Sequence, residues 1–372
     1  MQKYIVLCEE HYNPLGLIRS LGITGIKPIA IIKKGKNGIT SKSKYLSKVH
    51  YVNTNEEALE LLINEYGNEN TRPFVLTCDD QITSLLDCNY NALKNKFIFF
   101  NAGEEGRITK YMNKNEIMKL ANDCGLKTAK SWILKEKEIP KDISYPVLTK
   151  AIISTKDNWK ADSVICNNEK ELQETLNKIN SEKILVQEYI KKKNELCYDG
   201  YSCDKGKKVL YAISSEYLYV KEGAYSYYME VSNSHKPELE EKLNKMFEII
   251  GFEGIFSVEF LVDEQNNYYF LEINFRNSTW SWASTVAGMN LPVLWSESML
   301  DSKVFNNSYN KFKPFKAMVE LAYFSDMVRT KKISIFKWMS NFLDAKVKFL
   351  WYYRDPKPFL ARFIRKFKKN YY

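Results

Sequence analysis

The chain has 372 residues, 45% hydrophobic and 27% charged, with a net charge of +10, the make-up of a folded protein with room for two or three domains rather than a disordered one. Its seven cysteines form no C-x-x-C pair and its three histidines lie far apart in sequence, which argues against a disulfide framework, a zinc site or histidine-pair chemistry and for a reducing cytoplasm. Residues 331–372 hold nine Lys and three Arg against Asp344 and Asp355, so the net positive charge resides in this tail and any argument from basicity concerns the tail alone.

Neither a signal peptide nor a membrane-spanning run of about 18 apolar residues is expected from the sequence. In chain order, Tyr4–Cys8 reads as a buried parallel strand, and Asn13-Pro14 opens a helix with Leu17, Ile18 and Leu21 on one face, closed at Gly22. Strands at Pro28–Ile32, Val49–Val52, Phe74–Cys78 and Phe97–Phe100 alternate with an amphipathic helix at Glu56–Tyr66, a pattern that implies a parallel sheet flanked by helices. Next come a helix from Asn113 to Gly125, strands at Lys130–Leu134 and Tyr145–Ala151, a helix at Lys170–Ile179 and a strand at Ile184–Ile190. Glu195–Asp204 and Lys208–Ser214 read as an antiparallel pair turning at Lys205-Gly206, followed by a helix at Pro237–Ile250. Ile255–Val262 and Tyr268–Ile273 form a hairpin across Asp263–Asn267. Two amphipathic helices are expected at Ile333–Phe349 and Pro358–Phe367, split at Asp355-Pro356.

The hairpin carries the chemistry. Glu259 and Glu272 lie on its two strands amid apolar neighbours, with Asn274 on the same face as Glu272. Two buried carboxylates on adjacent strands repel unless a cation lies between them, and an all-oxygen set suits Mg²⁺. Arg276, at the next position on that face, would meet a phosphate or carboxylate bidentately. From spacing alone, the alternative that these residues are the polar edge of a hairpin stays open.

The string VEFLVDEQNNYYFLEINFRNS resembles the C-terminal core of the ATP-grasp enzymes. In that family an acid, and thirteen residues later the Glu of an E-x-N motif, hold two Mg²⁺ ions that bridge the ATP phosphates. The matching positions here are Glu259, Glu272 and Asn274. The resemblance continues upstream in the family's order and covers roughly residues 1–325. YPVLTKA makes Lys150 the lysine that reaches the phosphates, and Asn113-Lys114 resembles the site of an earlier nucleotide-contacting lysine, Lys114. VQEYI places Glu188 at the adenine amino group with the Tyr189 and Ile190 backbone along the base, and Glu195 matches the acid on the ribose hydroxyls. By residue type, an ordinary ion pair with the preceding lysine run is the competing account of Glu195.

There are departures from the family pattern. The loop after Lys150, IISTKDNWKADS, lacks the usual glycines, so Ser154, Thr155, Lys156 and Lys160 would have to supply phosphate donors. The glycine after VQEYI is replaced by lysines, and Ser257 stands where some relatives carry an arginine. Acyl-phosphate charge would then fall to Arg276 or Lys221.

The resemblance implies an α/β chain of the α+β grasp kind. It would have an N-terminal parallel βαβ pre-ATP-grasp domain (1–105), grasp lobes at 106–190 and 191–328, and a basic helical tail (329–372). It implies ATP and Mg²⁺, two ions with Mn²⁺ as an alternative, and an ADP-forming ligase that joins a carboxylate to an amine through an acyl phosphate, with Arg276 and Lys150 in catalysis. EINFRNSTWSWAS looks closest to D-aspartate ligases and related envelope enzymes, with Asn277, Ser278 and Ser281 lining the carboxylate pocket and Trp280 and Trp282 as its walls or as core. A carboxylase-like or phosphorylating enzyme of the same fold, and a nucleotide-binding scaffold without turnover, are the rival readings. The tail reads as a peripheral contact to an anionic membrane, with the protein cytoplasmic and at the inner face of that membrane, or as a cap on the body or a homodimer contact. No nucleic-acid motif accompanies it, so no nucleic-acid partner is expected.

Overall fold

The computed structural model describes residues 2–35, 38–135, 137–150, 164–179, 183–220, 225–305 and 311–362. Three sheets organise them. The first holds β1 (Tyr4–Glu9), β2 (Ile29–Lys33), β3 (Lys48–Val52), β4 (Phe74–Thr77) and β5 (Ile98–Phe99), all parallel, in the order β3-β2-β1-β4-β5. Ile5, Val6 and Leu7 are buried, as expected of a strand covered on both faces. The chain steps from β1 outward to β2 and β3, then returns to the other side of β1 for β4. The loops after β1 and β4 therefore diverge and leave a crevice at the strand ends. Each opens into a capped helix: the His11 ring accepts from the Asn13 N–H ahead of Tyr12–Gly22, and Asp79 accepts from the Gln81 and Ile82 N–H groups ahead of Asp80–Asp87.

The second sheet holds β6 (Ser131–Lys135), β7 (Val147–Lys150), β8 (Ile165–Cys166) and β9 (Lys183–Glu188) in the order β6-β9-β7-β8. Leu172 and Leu176 of the helix Glu169–Lys178 pack against it. The third, of seven strands, runs β14 (Tyr268–Asn274), β13 (Gly254–Val262), β10 (Asn194–Cys203), β11 (Lys208–Tyr217), β12 (Tyr228–Ser232), β15 (Phe315–Met318), β16 (Val347–Lys348). Residues 189–193 cross between the second and third sheets; the Tyr189 N–H donates to the Pro146 carbonyl at 3.0 Å and the Lys193 N–H to that of Val262 at 2.8 Å.

The tail departs from the expected pair of helices. A helix forms at Ile335–Asp344 but stops there, and Val347–Lys348 pairs parallel to β15. Val347, Phe349 and Leu350 are buried. The physical reason lies in the segment Lys346-Val347-Lys348-Phe349, which alternates polar and apolar at period two and so fits a half-buried strand better than a helix. Beyond it, Asp355 is fully buried against Arg19, with Nε to Oδ2 at 3.1 Å. Arg19 also donates to the carbonyls of Phe349, Leu350 and Asp355. Residues 357–362 are helical, and the remainder of the expected second helix lies outside the described residues. No described helix is long and apolar enough to cross a membrane.

Candidate functional site

Sheet register assembles the site on one face of the third sheet. Glu259 of β13 lies directly opposite Glu272 of β14, and on its other side opposite Cys197 of β10. One row along, Asn274, Ser257 and Asp199 line up across the same three strands. Alternation along β10 puts Glu195, Cys197 and Asp199 on this face. A register shift in the β13–β14 pairing follows Glu259, and another between Asp199 and Gly200 interrupts β10 against β11. Gly200 is required there, since a Cβ would collide with the Leu210 carbonyl.

Acidic side chains crowd this face, and among the described residues Arg276 and Lys192 meet them. Burial pushes the Glu259 carboxyl well above its usual range, and Glu272 and then Glu195 push it further. Asn274 Nδ2 donates to Glu259 Oε1 at 3.1 Å. Burial also raises Asp199, to about 7, while Ser278 and Arg276 pull the other way. One Asp199 oxygen accepts from the Ser278 hydroxyl, and the other has no hydrogen-bond partner among the described residues. Among the described residues no three His, Cys, Asp or Glu side chains form a metal cage. Glu259, Glu272 and the Asn274 amide are instead a partial oxygen set that would leave coordination positions for phosphate and water, as Mg²⁺ requires.

A cavity of about 450 Å³ adjoins this face. Glu9, Glu10, His11 and Asn13 from the loop after β1, with Cys78 and Asp79 from the end of β4, supply one wall. Tyr217, Tyr225, Ser257, Glu259, Asn274, Arg276, Ser278 and Trp280 supply the other. The crevice at the switch point of the parallel sheet thus opens onto Glu259 of the carboxylate pair. Burial, with help from Arg276, lowers His11 to about 4, so the imidazole is neutral near pH 7. Arg276 bridges the walls: Nε reaches Asp80 Oδ1 at 2.8 Å and Nη2 reaches Asn274 Oδ1 at 2.9 Å.

Other residues singled out by sequence fall as follows. Glu188 ends β9, its carboxylate accepting from the Lys130 N–H at 3.2 Å, and Tyr189 and Ile190 begin the crossing between sheets. Glu195 pairs with Lys192 at 2.7 Å, and both side chains are nearly buried, so this is not a solvated pair. Lys114 is exposed in the first turn of the helix Lys114–Asp123. Lys150 is the last residue of β7; its side chain lies outside the described atoms, as do residues Ser154, Thr155, Lys156 and Lys160, and Lys221. Ser278 and Trp280 line the cavity. Asn277 does not: it is buried with its amide on Asn13 Oδ1 at 2.6 Å, tying the two walls together. Trp282 is core, packed on Tyr352 at 5.2 Å. Sequence reasoning passed over Asp199, Tyr217, Tyr225, His11 and Asp80. The one available signal was the polar alternation Glu195, Cys197, Asp199 in an otherwise apolar strand.

Residues 113–295 match the family described as carbamoyl-phosphate synthase L chain, ATP binding domain. No curated protein matches the sequence at a significant level. Among solved structures, an L-amino acid ligase from Bacillus licheniformis is 14% identical with a TM-score of 0.65, over 86% of this chain and 80% of that one. N5-carboxyaminoimidazole synthetase from Staphylococcus aureus is 17% identical with a TM-score of 0.64, over 89% and 86%. The biotin carboxylase domain of the Hydrogenobacter thermophilus 2-oxoglutarate carboxylase, a dimer in complex with MgADP, ADP and bicarbonate, is 21% identical with a TM-score of 0.62, over 85% and 73%. The fold of the chain is therefore the ATP-grasp fold, with a parallel N-terminal sheet ahead of it.

Proposed function

We propose that the protein is an ATP-dependent, ADP-forming ligase that joins a carboxylate to an amine. The observation that carries this reading is the half-buried Glu259–Glu272 pair, directly opposed across one ladder, with Glu259 lining a polar cavity. A scaffold without turnover has no physical need for two such carboxylates. The ATP-binding family match and the ligase and synthetase among its structural neighbours support the same class.

Glu259, Glu272 and Asn274 would hold Mg²⁺, with Mn²⁺ able to substitute; the cation offsets charge on the phosphates. Glu188, the Tyr189 and Ile190 backbone and Glu195 would hold adenine and ribose at the crossing between sheets, with Lys114 and Lys150 toward the phosphates. Ser154, Lys156, Lys160 and Lys221 are proposed as further contacts to phosphate or substrate. Arg276, whose fork is engaged by Asp80, Asn274 and the Asn277 carbonyl, lines the cavity and would offer the carboxylate there its positive charge. That carboxylate attacks the γ-phosphorus, and ADP leaves. The amine then attacks the acyl carbon of the resulting acyl phosphate, loses a proton and expels inorganic phosphate. Ser278 and Trp280 line the carboxylate's pocket, and Asn277 holds that wall to Asn13.

An amino acid fits this pocket, whose Glu9 and Asp79 wall offers carboxylate acceptors to an ammonium group. The D-aspartate ligase-like string after Glu272 favours cell-envelope or surface-polysaccharide biosynthesis, with the reaction in the cytoplasm where ATP is held. The test is ADP release with Mg²⁺ across a panel of amino acids, with and without amine acceptors, and with hydroxylamine to trap an acyl phosphate. A carboxylate-dependent rise in ADP with a matching hydroxamate is expected. ADP release driven by bicarbonate alone would favour the carboxylase-like reading, and no stimulation by any carboxylate–amine pair would refute the ligase.

A further inference from the structure

The helix Ile335–Asp344 is started by Ser334, whose side chain accepts from the Lys337 N–H. At about 100° per residue, Trp338, Asn341 and Phe342 share a face. Trp338 meets the ring of Phe324 edge-on at 5.3 Å and stacks on Phe342 at 5.3 Å, and Asn341 donates to the Tyr323 hydroxyl at 2.8 Å. That face is satisfied by the body. It packs on the cluster of Tyr228, Met318 and Tyr323, to which Tyr227 of the cavity wall also belongs.

A second apolar arc adjoins the first. Ile335, Phe336, Met339 and Leu343 fall within about 100° of one another around the helix, and all four face outward. Phe336 is 79% and Leu343 78% exposed, more than any other large hydrophobic among the described residues. A surface helix needs one apolar face to hold it to its own fold, and the face opposite is ordinarily polar. Contiguous exposed apolar side chains of this size mark an interaction surface. Exposed Lys331 and Lys332 precede the helix and Lys337 lies in its first turn, while Asp344 at its end is engaged by Lys316 at 2.6 Å.

Charge selects the occupant. The net charge of the protein resides in 331–372, and the rest of the chain is balanced. A second copy seated symmetrically on this face would bring the same lysines together, whereas an anionic surface complements them. No described helix is long and apolar enough to span a bilayer, so the fit is to a surface rather than to a channel through it. We propose that the outward face of this helix, Ile335, Phe336, Met339 and Leu343 with Lys331, Lys332 and Lys337, seats the protein on an anionic lipid surface, the apolar side chains entering the interface and the lysines meeting headgroups. This contact stands independently of the reaction proposed above.

Flotation of the full chain with phosphatidylcholine vesicles, with and without phosphatidylglycerol, tests it. Binding is expected only with the anionic lipid and weakens as salt rises. The double variant Phe336→Ser, Leu343→Ser binds at least about tenfold more weakly, from the lost burial of two large side chains, with an unchanged melting temperature because both are exposed. Lys331→Gln, Lys332→Gln, Lys337→Gln loses the preference for anionic lipid. The proposal is overturned by absence of flotation, by equal recovery of the wild type and the serine variant, or by equal binding to both vesicle types. It is also overturned if sizing finds a dimer that the serine variant abolishes while neither protein floats, which would make a second copy the occupant.

Discussion

Asp199 shows how strongly one residue of this site is constrained. Its carboxyl is fully buried, one oxygen held by Ser278 and the other without a partner among the described residues, and burial raises it from 3.8 to about 7. The folded protein therefore holds this proton more firmly than the unfolded chain. The stability that Asp199 contributes is complete below its ordinary value and is lost as pH rises from about 4 to about 7. Asp199→Asn removes that dependence. Relative to the wild type, the variant is expected to gain roughly 2 kcal/mol between pH 5 and pH 8, read from chemical denaturation at the two pH values. A difference that does not change with pH would show that Asp199 is not held as an acid. Glu259 and Glu272 were legible in the sequence because a hairpin alternates at period two and their spacing resembles a family motif. Asp199 was not, because its role depends on a register against β13 that no local pattern specifies. Asp80 was hidden in the same way: its partner Arg276 is 196 residues away.

At the scale of elements, the segment after the helix Ile335–Asp344 ties the tail to the seven-stranded sheet and to the first helix. β16 pairs with β15, Glu320 accepts from the Leu350 and Trp351 N–H groups, and Asp355 reaches Arg19, Ser43 and the Lys44 N–H. Removing one member of a buried, hydrogen-bonded ion pair leaves a charge without compensation and costs about 3–5 kcal/mol. Arg19→Met is thus expected to lower the melting temperature sharply. Lys245→Met, which breaks the exposed pair with Glu241, is expected to leave it unchanged. Similar melts for the two variants would show that the Arg19–Asp355 contact does not hold the tail. The aromatic and basic residues that run through 333–349 predict one helix. The period-two stretch Lys346–Phe349 was the overlooked signal, and Asp355 could not be read as buried without its partner on the first helix.

At the scale of the molecule, three sheets divide the labour. The parallel sheet presents the loops at its switch point, the seven-stranded sheet presents carboxylates, and the cavity lies between them, with the smaller antiparallel sheet joined through residues 189–193. The order of sheets was legible because alternating strand and helix signals run through the N-terminal part of the chain and a run of motifs resembling those of one family follows in order. The cavity was not, since its walls come from residues near 9–14, 78–79, 217–227 and 257–280, which only tertiary packing brings together. The central claim is that Glu259 and Glu272 serve metal-dependent turnover of ATP, and it is tested most directly by ADP release from the wild type and from Glu272→Gln, with Mg²⁺, ATP and the stimulating carboxylate and amine. The account predicts a loss of at least about a hundredfold in Glu272→Gln, with a melting temperature no lower than the wild type because a carboxylate repulsion has been removed; ADP release at the wild-type rate would contradict it.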